Sequence, residues 1–324
     1  MVGQSPQRPP VPEPVLTVTA NTALDRVILV PDFAFGRTVV ATGCTLAMAG
    51  KPADVSLVLA ELGVASHATG LAGGRTGRLM SRMLRRAGVR TSFLRAPGHT
   101  RVNLVVVKAG TGQQGTITVP SLRPRREDGE RLYAHVLELL PGRKWLVLGG
   151  SLPTGVEPDL YSRLIEAAHA SGVRTLLDAS GRTLAEALPA RPAIVKPNEI
   201  ELGAAIGREL HGPADVLTAA RELCARGVET VIVTMGAQGS ICVSGEQAWH
   251  IAPLPVAALN TAGAGDAFGA GLLKGLLDGL PLAEALRWAT ATATATVLTL
   301  GTAECHREDV ERLLPLVQVE PLAG

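Results

Sequence analysis

The chain has 324 residues, 46% of them apolar and only 3% aromatic, which suffices for a large folded unit whose core is built from Leu, Val, Ile and Ala. A formal net charge of +2 gives no ground for a nucleic-acid or anionic-membrane partner, and no run has the length and apolarity of a membrane span. Cysteines 44, 224, 242 and 305 are scattered and the seven histidines are isolated, so free thiols, a reducing cytoplasmic setting and no zinc site are expected.

In chain order, "MVGQSPQRPPVPE" (1–13) is Pro-rich without an apolar h-region and reads as a loose tail, leaving 14–324 as the folded unit. "PVLTVTAN" (Pro14–Asn21) is a first strand. "ADVSLVLAELG" (Ala53–Gly63) has helical apolar spacing and stops at a glycine. "VASHATGLAG" (Val64–Gly73) holds a strand, followed by the helical "GRLMSRMLRRAG", whose arginines read as a wet face. "KWLVLGG", "VRTLLDAS", "PAIVKPN" and "VETVIVTMG" are short β-rich runs, with helical patterns such as "PDLYSRLIEAAHASG" and "PADVLTAARELCARG" between them. "LRWATATATATVLTLG" (Leu286–Gly301) is diluted by threonines and is expected to be a buried helix.

This alternation predicts a mostly parallel sheet covered by helices on both faces, with ligands beyond the carboxyl ends of the strands. Asn21, Asp25, Asp178, Lys196, Asn198 and Thr234 stand at those ends. Two β-rich segments break the rhythm: about 26–43, and 100–120, where "LVVVKAGTGQQGTITV" reads as a hairpin. Together they predict a small second sheet that acts as a lid. The basic run "RPRRED" (Arg123–Asp128) fits a solvated loop, or a contact for phosphate or a partner.

"NTAGAGDAFG" (Asn260–Gly269) opens an apolar helix. Gly263, Ala264 and Gly265 are bare enough for a ligand to approach their N–H groups, and a helix N-terminus adds a further attraction for anions. Asp266 in the first turn would repel an anion unless it takes a proton from a hydroxyl beside an incoming phosphoryl group. A tight helix start with an ordinary capping aspartate fits the local pattern equally. No Walker A loop and no dinucleotide fingerprint occurs.

These stretches resemble the ribokinase-like (PfkB-type) carbohydrate kinases. "NTAGAGDAFGAG" is similar to that family's C-terminal signature; "LGGSLPTGV", "LLDASG", "VKPNEIELG" and "VTMGAQGS" also match, from "TANTALDR" to "LGTAECHREDVERLL". "NTALDR" and "HTRVNLVV" look closest to the 1-phosphofructokinase and tagatose-6-phosphate kinase branch, with Thr22 in place of a proline. The resemblance implies a three-layer α/β/α core with a β lid and ATP-dependent transfer to a sugar phosphate, with a possible homodimer formed through the lid. Asp25 and Asn103 would hold the sugar and Arg101 its phosphate, with Gly50, Lys51 and Asp54 beside them. Lys196, Thr234, Gly236, Gly239 and Gly265 would line the nucleotide, and Asn198 and Glu201 would organise Mg²⁺ through water. "TLGTAE" (Thr299–Glu304) and the helix before it would wall the adenine.

The chain departs from the branch's Gly-Gly-Lys-Gly-x-Asn, reading Ala49-Gly50-Lys51-Pro52-Ala53-Asp54. Asp54 suits a neutral polyol better than a phosphate, so a kinase for an unphosphorylated sugar or nucleoside is a second reading. A non-catalytic sensor on the same fold is a third; it is disfavoured because Asp266 is present.

Overall fold

The computed structural model describes residues 13–111 and 113–322. All of the predicted tail except Glu13 lies outside these residues, as does Gly112 in the lid hairpin. Glu13 is anchored, its carboxylate accepting from Arg143 Nη1 at 2.7 Å.

The first half of the chain forms β1 (Val15–Thr19), β2 (Ala23–Val30), β3 (Gly43–Ala49), α1 (Lys51–Glu61), β4 (Ser66–Ala72), α2 (Gly74–Arg86), β5 (Arg90–Thr91), β6 (Leu94–Arg95), β7 (Arg101–Lys108), β8 (Gln114–Ile117) and α3 (Arg126–Leu139). The second half forms β9 (Trp145–Gly149), α4 (Leu160–Ala170), β10 (Arg174–Asp178), α5 (Gly181–Ala187), β11 (Ile194–Val195), α6 (Glu199–Ile206) and α7 (Pro213–Ala225). It continues with β12 (Thr230–Thr234), β13 (Ser240–Ser244), β14 (Gln247–Ile251), α8 (Ala264–Leu277), α9 (Leu282–Val297), α10 (Arg307–Leu313) and β15 (Val319–Pro321).

The large sheet runs β15-β14-β13-β12-β11-β10-β9-β1-β4-β5, with β6 also on β4. It is parallel from β12 through β5 and antiparallel across β12–β15. Strand alternation separates two cores. Leu16 and Val18 face a cluster with Leu132 of α3, Leu164 of α4 and Val216 of α7. Val15, Val147 and Ile232 face another with Val55 of α1, Phe268 of α8 and Leu286 of α9. This is the three-layer arrangement, helix, sheet and helix, that the alternation along the sequence predicts. The threonines of α9 do not interrupt it, because Thr292, Thr294 and Thr296 hydroxyls donate back to Trp288, Thr290 and Thr292 carbonyls at 2.7–3.0 Å.

The second sheet is β3-β2-β7-β8. Its strands lie partly outside the expected segments. β2 begins at Ala23 and β3 runs from Gly43 to Ala49, while residues 31–42 form no strand. β7 and β8 form the expected antiparallel hairpin, Leu104 opposite Ile117. Val27, Val105 and Val107 pack under this sheet against Leu300. Cys242 and Cys305 are buried free thiols, but Cys44 is exposed near the start of β3. No helix among the described residues is long and apolar enough to cross a membrane.

Candidate active site

The site lies where the carboxyl ends of β1, β9, β10 and β11 meet the first turns of α1, α6 and α8. Gly263 caps α8 in the left-handed region at φ 81°. A Cβ there would fall 2.4 Å from the Ala303 nitrogen, so only glycine permits this approach. Ala267 N–H makes the first i to i−4 bond of the helix, to Gly263 O at 2.9 Å. The Gly265 and Asp266 N–H groups lie ahead of that bond, at the open end of the helix. Ala264 N–H is turned to Thr261 O at 3.3 Å, so it is less available than its neighbours.

Beside this loop the charges form one chain. Lys51 Nζ donates to Asp178 Oδ1 at 2.7 Å and to Glu201 Oε1 at 2.9 Å. Lys196 Nζ pairs with Asp178 Oδ2 at 2.7 Å. Burial opposes ionisation of Asp178, but Lys196 and Lys51 overcome it and hold the carboxyl below the usual carboxylate range. Burial likewise opposes the Lys51 charge, and Asp178, Glu201 and Asp266 more than restore it. A side chain at Gly265 would press within 3.2 Å of Lys196 Nζ, so the bare position lets the ammonium stand at the helix end. Lys51 was expected on the sugar side; its ion pairs place it among the acids of β10 and α6. Asp178 was noted only as a strand-end acid, yet it joins both lysines.

Asn198 and Glu201 form a capping box on α6: Asn198 Oδ1 accepts from Glu201 N at 2.7 Å, and Glu201 Oε2 from Asn198 N at 3.0 Å. A capping acid with one oxygen on a lysine suits contact with a magnesium ion through water better than direct ligation. No cluster of three or more His, Cys, Asp or Glu able to hold a metal occurs among the described residues.

On the acceptor side, the parallel register of β2 and β7 sets Asp25 beside Asn103 and Ala23 beside Arg101. Asp25 accepts from Asn103 Nδ2 at 2.7 Å and from Thr302 Oγ1 at 2.8 Å. Burial pushes the Asp25 carboxyl up, against these bonds and Arg101. Gly50, at φ 104°, brings the start of α1 against Thr19. Thr22, which stands where the resemblance implies a proline, is used: its hydroxyl donates to Leu71 O at 2.7 Å and meets Thr100 Oγ1 at 2.8 Å.

Among the described residues seven buried side-chain polar atoms lack a hydrogen-bond partner, and four of them belong to Asp54, Arg101, Asn103 and Asp266. Orphaned polar atoms are expensive in a core, so their concentration here marks a place made for a polar ligand. Burial first, then Asp178 and, least, Glu201, push the Asp266 carboxyl up to about 8 against the opposing effect of Lys51 and Lys196.

A separate cavity of about 680 Å³ opens on the other side of the α8 loop. Thr234, Gly236, Gly239, Gly265, Phe268 and Val297 are among its lining residues. Residues 299–304, expected with the helix before them to wall an adenine, are not among its lining residues, whereas Thr290, Ala293, Thr294 and Val297 of that helix are. Thr302 instead bonds Asp25, and Ala303 N–H reaches Ala262 O at 3.3 Å, tying the small sheet to the glycine loop. Thr302 was missed because its partner lies 277 residues away.

Residues 16–309 match the family model described as pfkB family carbohydrate kinase. A 1-phosphofructokinase of Rhodobacter capsulatus is 37% identical over 305 residues, covering 94% of this chain and 96% of that protein. The Escherichia coli phosphofructokinase-2 solved in complex with substrates and products superposes with a TM-score of 0.86 at 32% identity, over 93% of this chain and 98% of that one. The same enzyme has been solved in a tetrameric inhibited form, at TM-score 0.85 and 31% identity, over 94% of this chain and 99% of that one. An Arabidopsis thaliana ribokinase complexed with ribose and ATP superposes at 0.73 with 23% identity, covering 94% of this chain and 99% of that one; this is a likeness of fold alone.

Proposed function

The chain belongs to the pfkB family of carbohydrate kinases and is an ATP-dependent sugar kinase, and from that premise we propose that it phosphorylates a hydroxyl of a sugar phosphate with Asp266 as general base. The observation that carries this reading is the Asp266 carboxyl, buried in the first turn of α8 with Oδ1 unpartnered, between a cavity sized for a nucleotide and the orphaned polar groups of the acceptor side. The names of the 1-phosphofructokinase and phosphofructokinase-2 relatives favour fructose 1-phosphate or fructose 6-phosphate as acceptor, with tagatose 6-phosphate a third candidate from the motif resemblance.

Asp25 and Asn103 orient the sugar, and the Arg101 guanidinium meets the phosphate it already carries. Asp266 takes the hydroxyl proton as the new oxygen–phosphorus bond forms and the bond to the β-phosphate oxygen breaks, releasing ADP. N–H groups of Gly263, Gly265 and Asp266 receive the charge on the transferring oxygens, with Ala264 contributing after leaving Thr261. Lys196 and Lys51 offset the phosphate charge from the nucleotide side. Thr234, Gly236 and Gly239 line the nucleotide. Mg²⁺ accompanying ATP would neutralise phosphate charge, with Asn198 and Glu201 holding its waters. The small sheet covers the acceptor and excludes water; its outer face, with Leu104 and Ile117 exposed, is where a second subunit would pair.

Asp266→Asn is expected to lower kcat by about 10²–10⁴ with little change in KM for ATP, the size typical of a lost general base. Coupled ADP-release assays with the three sugar phosphates and with fructose, ribose and adenosine check this. Near-normal turnover by Asp266→Asn would remove the base assignment, and turnover of unphosphorylated acceptors alone would move the substrate class.

A further inference from the structure

Asp54 stands in the first turn of α1, 2% exposed, with Oδ1 buried and unpartnered. Three residues earlier on the same helix, Lys51 is committed to Asp178 of β10 and Glu201 of α6. Lys196, after β11, is committed to Asp178. Arg101 of β7 acts on Asp25 of β2. The charged groups that bear on Asp54 are therefore Asp266 of α8 and Asp25 of β2, both acids. The N-terminal end of α1 favours an anion, but this effect is weaker than burying an unpaired carboxylate beside two others. Where the related branch carries an asparagine, with an N–H₂ donor, this chain carries a carboxyl group that can donate only while it holds its proton.

We propose that Asp54 works as a neutral carboxylic acid, an O–H donor to an oxygen of the bound sugar phosphate that is lost as a donor when it ionises. The inference rests on the sugar-phosphate kinase reading above and names the residue that makes its substrate affinity depend on pH. Burial, then Asp266 and Asp25, push the Asp54 carboxyl well above the usual carboxylate range, in the direction of a retained proton. In this state Asp54 replaces the amide donor without adding a charge against phosphate. Ionised, it would repel phosphate and favour hydroxyl donors, which is the condition for an unphosphorylated acceptor.

The test compares full-length wild type, Asp54→Asn and Asp54→Ala, measuring KM for fructose 1-phosphate and fructose 6-phosphate, KM for ATP and kcat from pH 6 to 9.5. Wild-type KM for the sugar phosphate should rise at least tenfold at the alkaline end, while KM for ATP stays level. Asp54→Asn should abolish that rise and bind the sugar phosphate at least tenfold better than Asp54→Ala, a rescue that space-filling alone does not predict at pH 9. A level wild-type profile, a rise that persists in Asp54→Asn, or an Asn variant as weak as the Ala variant overturns the proposal. Absence of transfer to any sugar phosphate by wild type, with transfer to free sugars, instead overturns the kinase reading on which the proposal rests.

Discussion

A carboxyl that must be ionised to take a proton is placed in Asp266 where ionisation is opposed. Burial and the neighbouring Asp178 carboxylate raise it to about 8, above an ordinary value of 3.8. Between those values the folded chain holds a proton that the unfolded chain has released. The stabilisation is therefore complete below the unfolded value and is lost as pH rises through the folded one. Two results are expected. The value of kcat/KM should climb with pH towards about 8, as the free enzyme's base ionises. Asp266→Asn should be more stable than wild type in urea melts at pH 8, with the gap closing towards pH 4. A gap that widens on acidification would reverse the sign and the assignment. At this scale the sequence revealed the acid, the bare loop and the strand-end polar groups, because each is a local pattern. It did not reveal that Lys51 is held by Asp178 and Glu201, 127 and 150 residues away, or that Thr302 braces Asp25. Those pairings exist only once the sheet has brought the strand ends together.

The site depends on how closely α8 lies against its neighbours. A Cβ at Gly271 would fall 2.5 Å from Trp288 O and 2.6 Å from Thr292 Oγ1, and one at Gly275 would fall 2.7 Å from Ala285 Cα. Two glycines one turn apart thus let α9 approach backbone to backbone, and this contact sets the direction in which the start of α8 points. Gly271→Ala should cost about 1–3 kcal/mol, the range for overpacking a tight core. It should also lower kcat more than it raises KM for ATP, because the helix end moves relative to the acceptor; denaturant melts and steady-state kinetics on one preparation check both. Most of the longer helices and parallel strands were legible because each carries its own periodicity over at least a few residues, whereas α3 was not, its first turn falling in the run Arg123–Asp128 that reads as a solvated loop. The antiparallel edge β13–β15 was not. Its strands are five, five and three residues long, and the turn at Gly245 joins two of them with no alternating pattern to mark it. The small sheet's position was legible, but not its bounds, because the buried ends of β2 and β3, Ala23–Asp25 and Ala47–Ala49, adjoin segments read as strand end and helix start.

Charge is distributed unevenly over the whole molecule although the net value is only +2. Between residues 62 and 126 there is no Asp or Glu, while twelve Lys and Arg occur. This segment builds the β4–β5 edge of the large sheet, α2, and half of the small sheet. Arg75, Arg78, Arg82 and Arg86 are exposed along one stripe of α2, whose first residue lies under His99, two before Arg101. The stripe therefore leads from solvent to the acceptor mouth. Proposed substrates of both kinds are polyanions, and a one-signed field beside a cleft raises their local concentration and on-rate. Such a field is screened over about 10 Å at 0.1 M salt. The double substitution Arg78→Glu, Arg82→Glu is therefore expected to lower kcat/KM for the sugar phosphate by about threefold to tenfold at low ionic strength. The same variant should approach wild type at 0.5 M salt, with kcat unaffected at both. These arginines touch no proposed substrate group, so a loss of kcat, or a deficit in kcat/KM that salt does not remove, would mean that α2 acts through structure and not through its field.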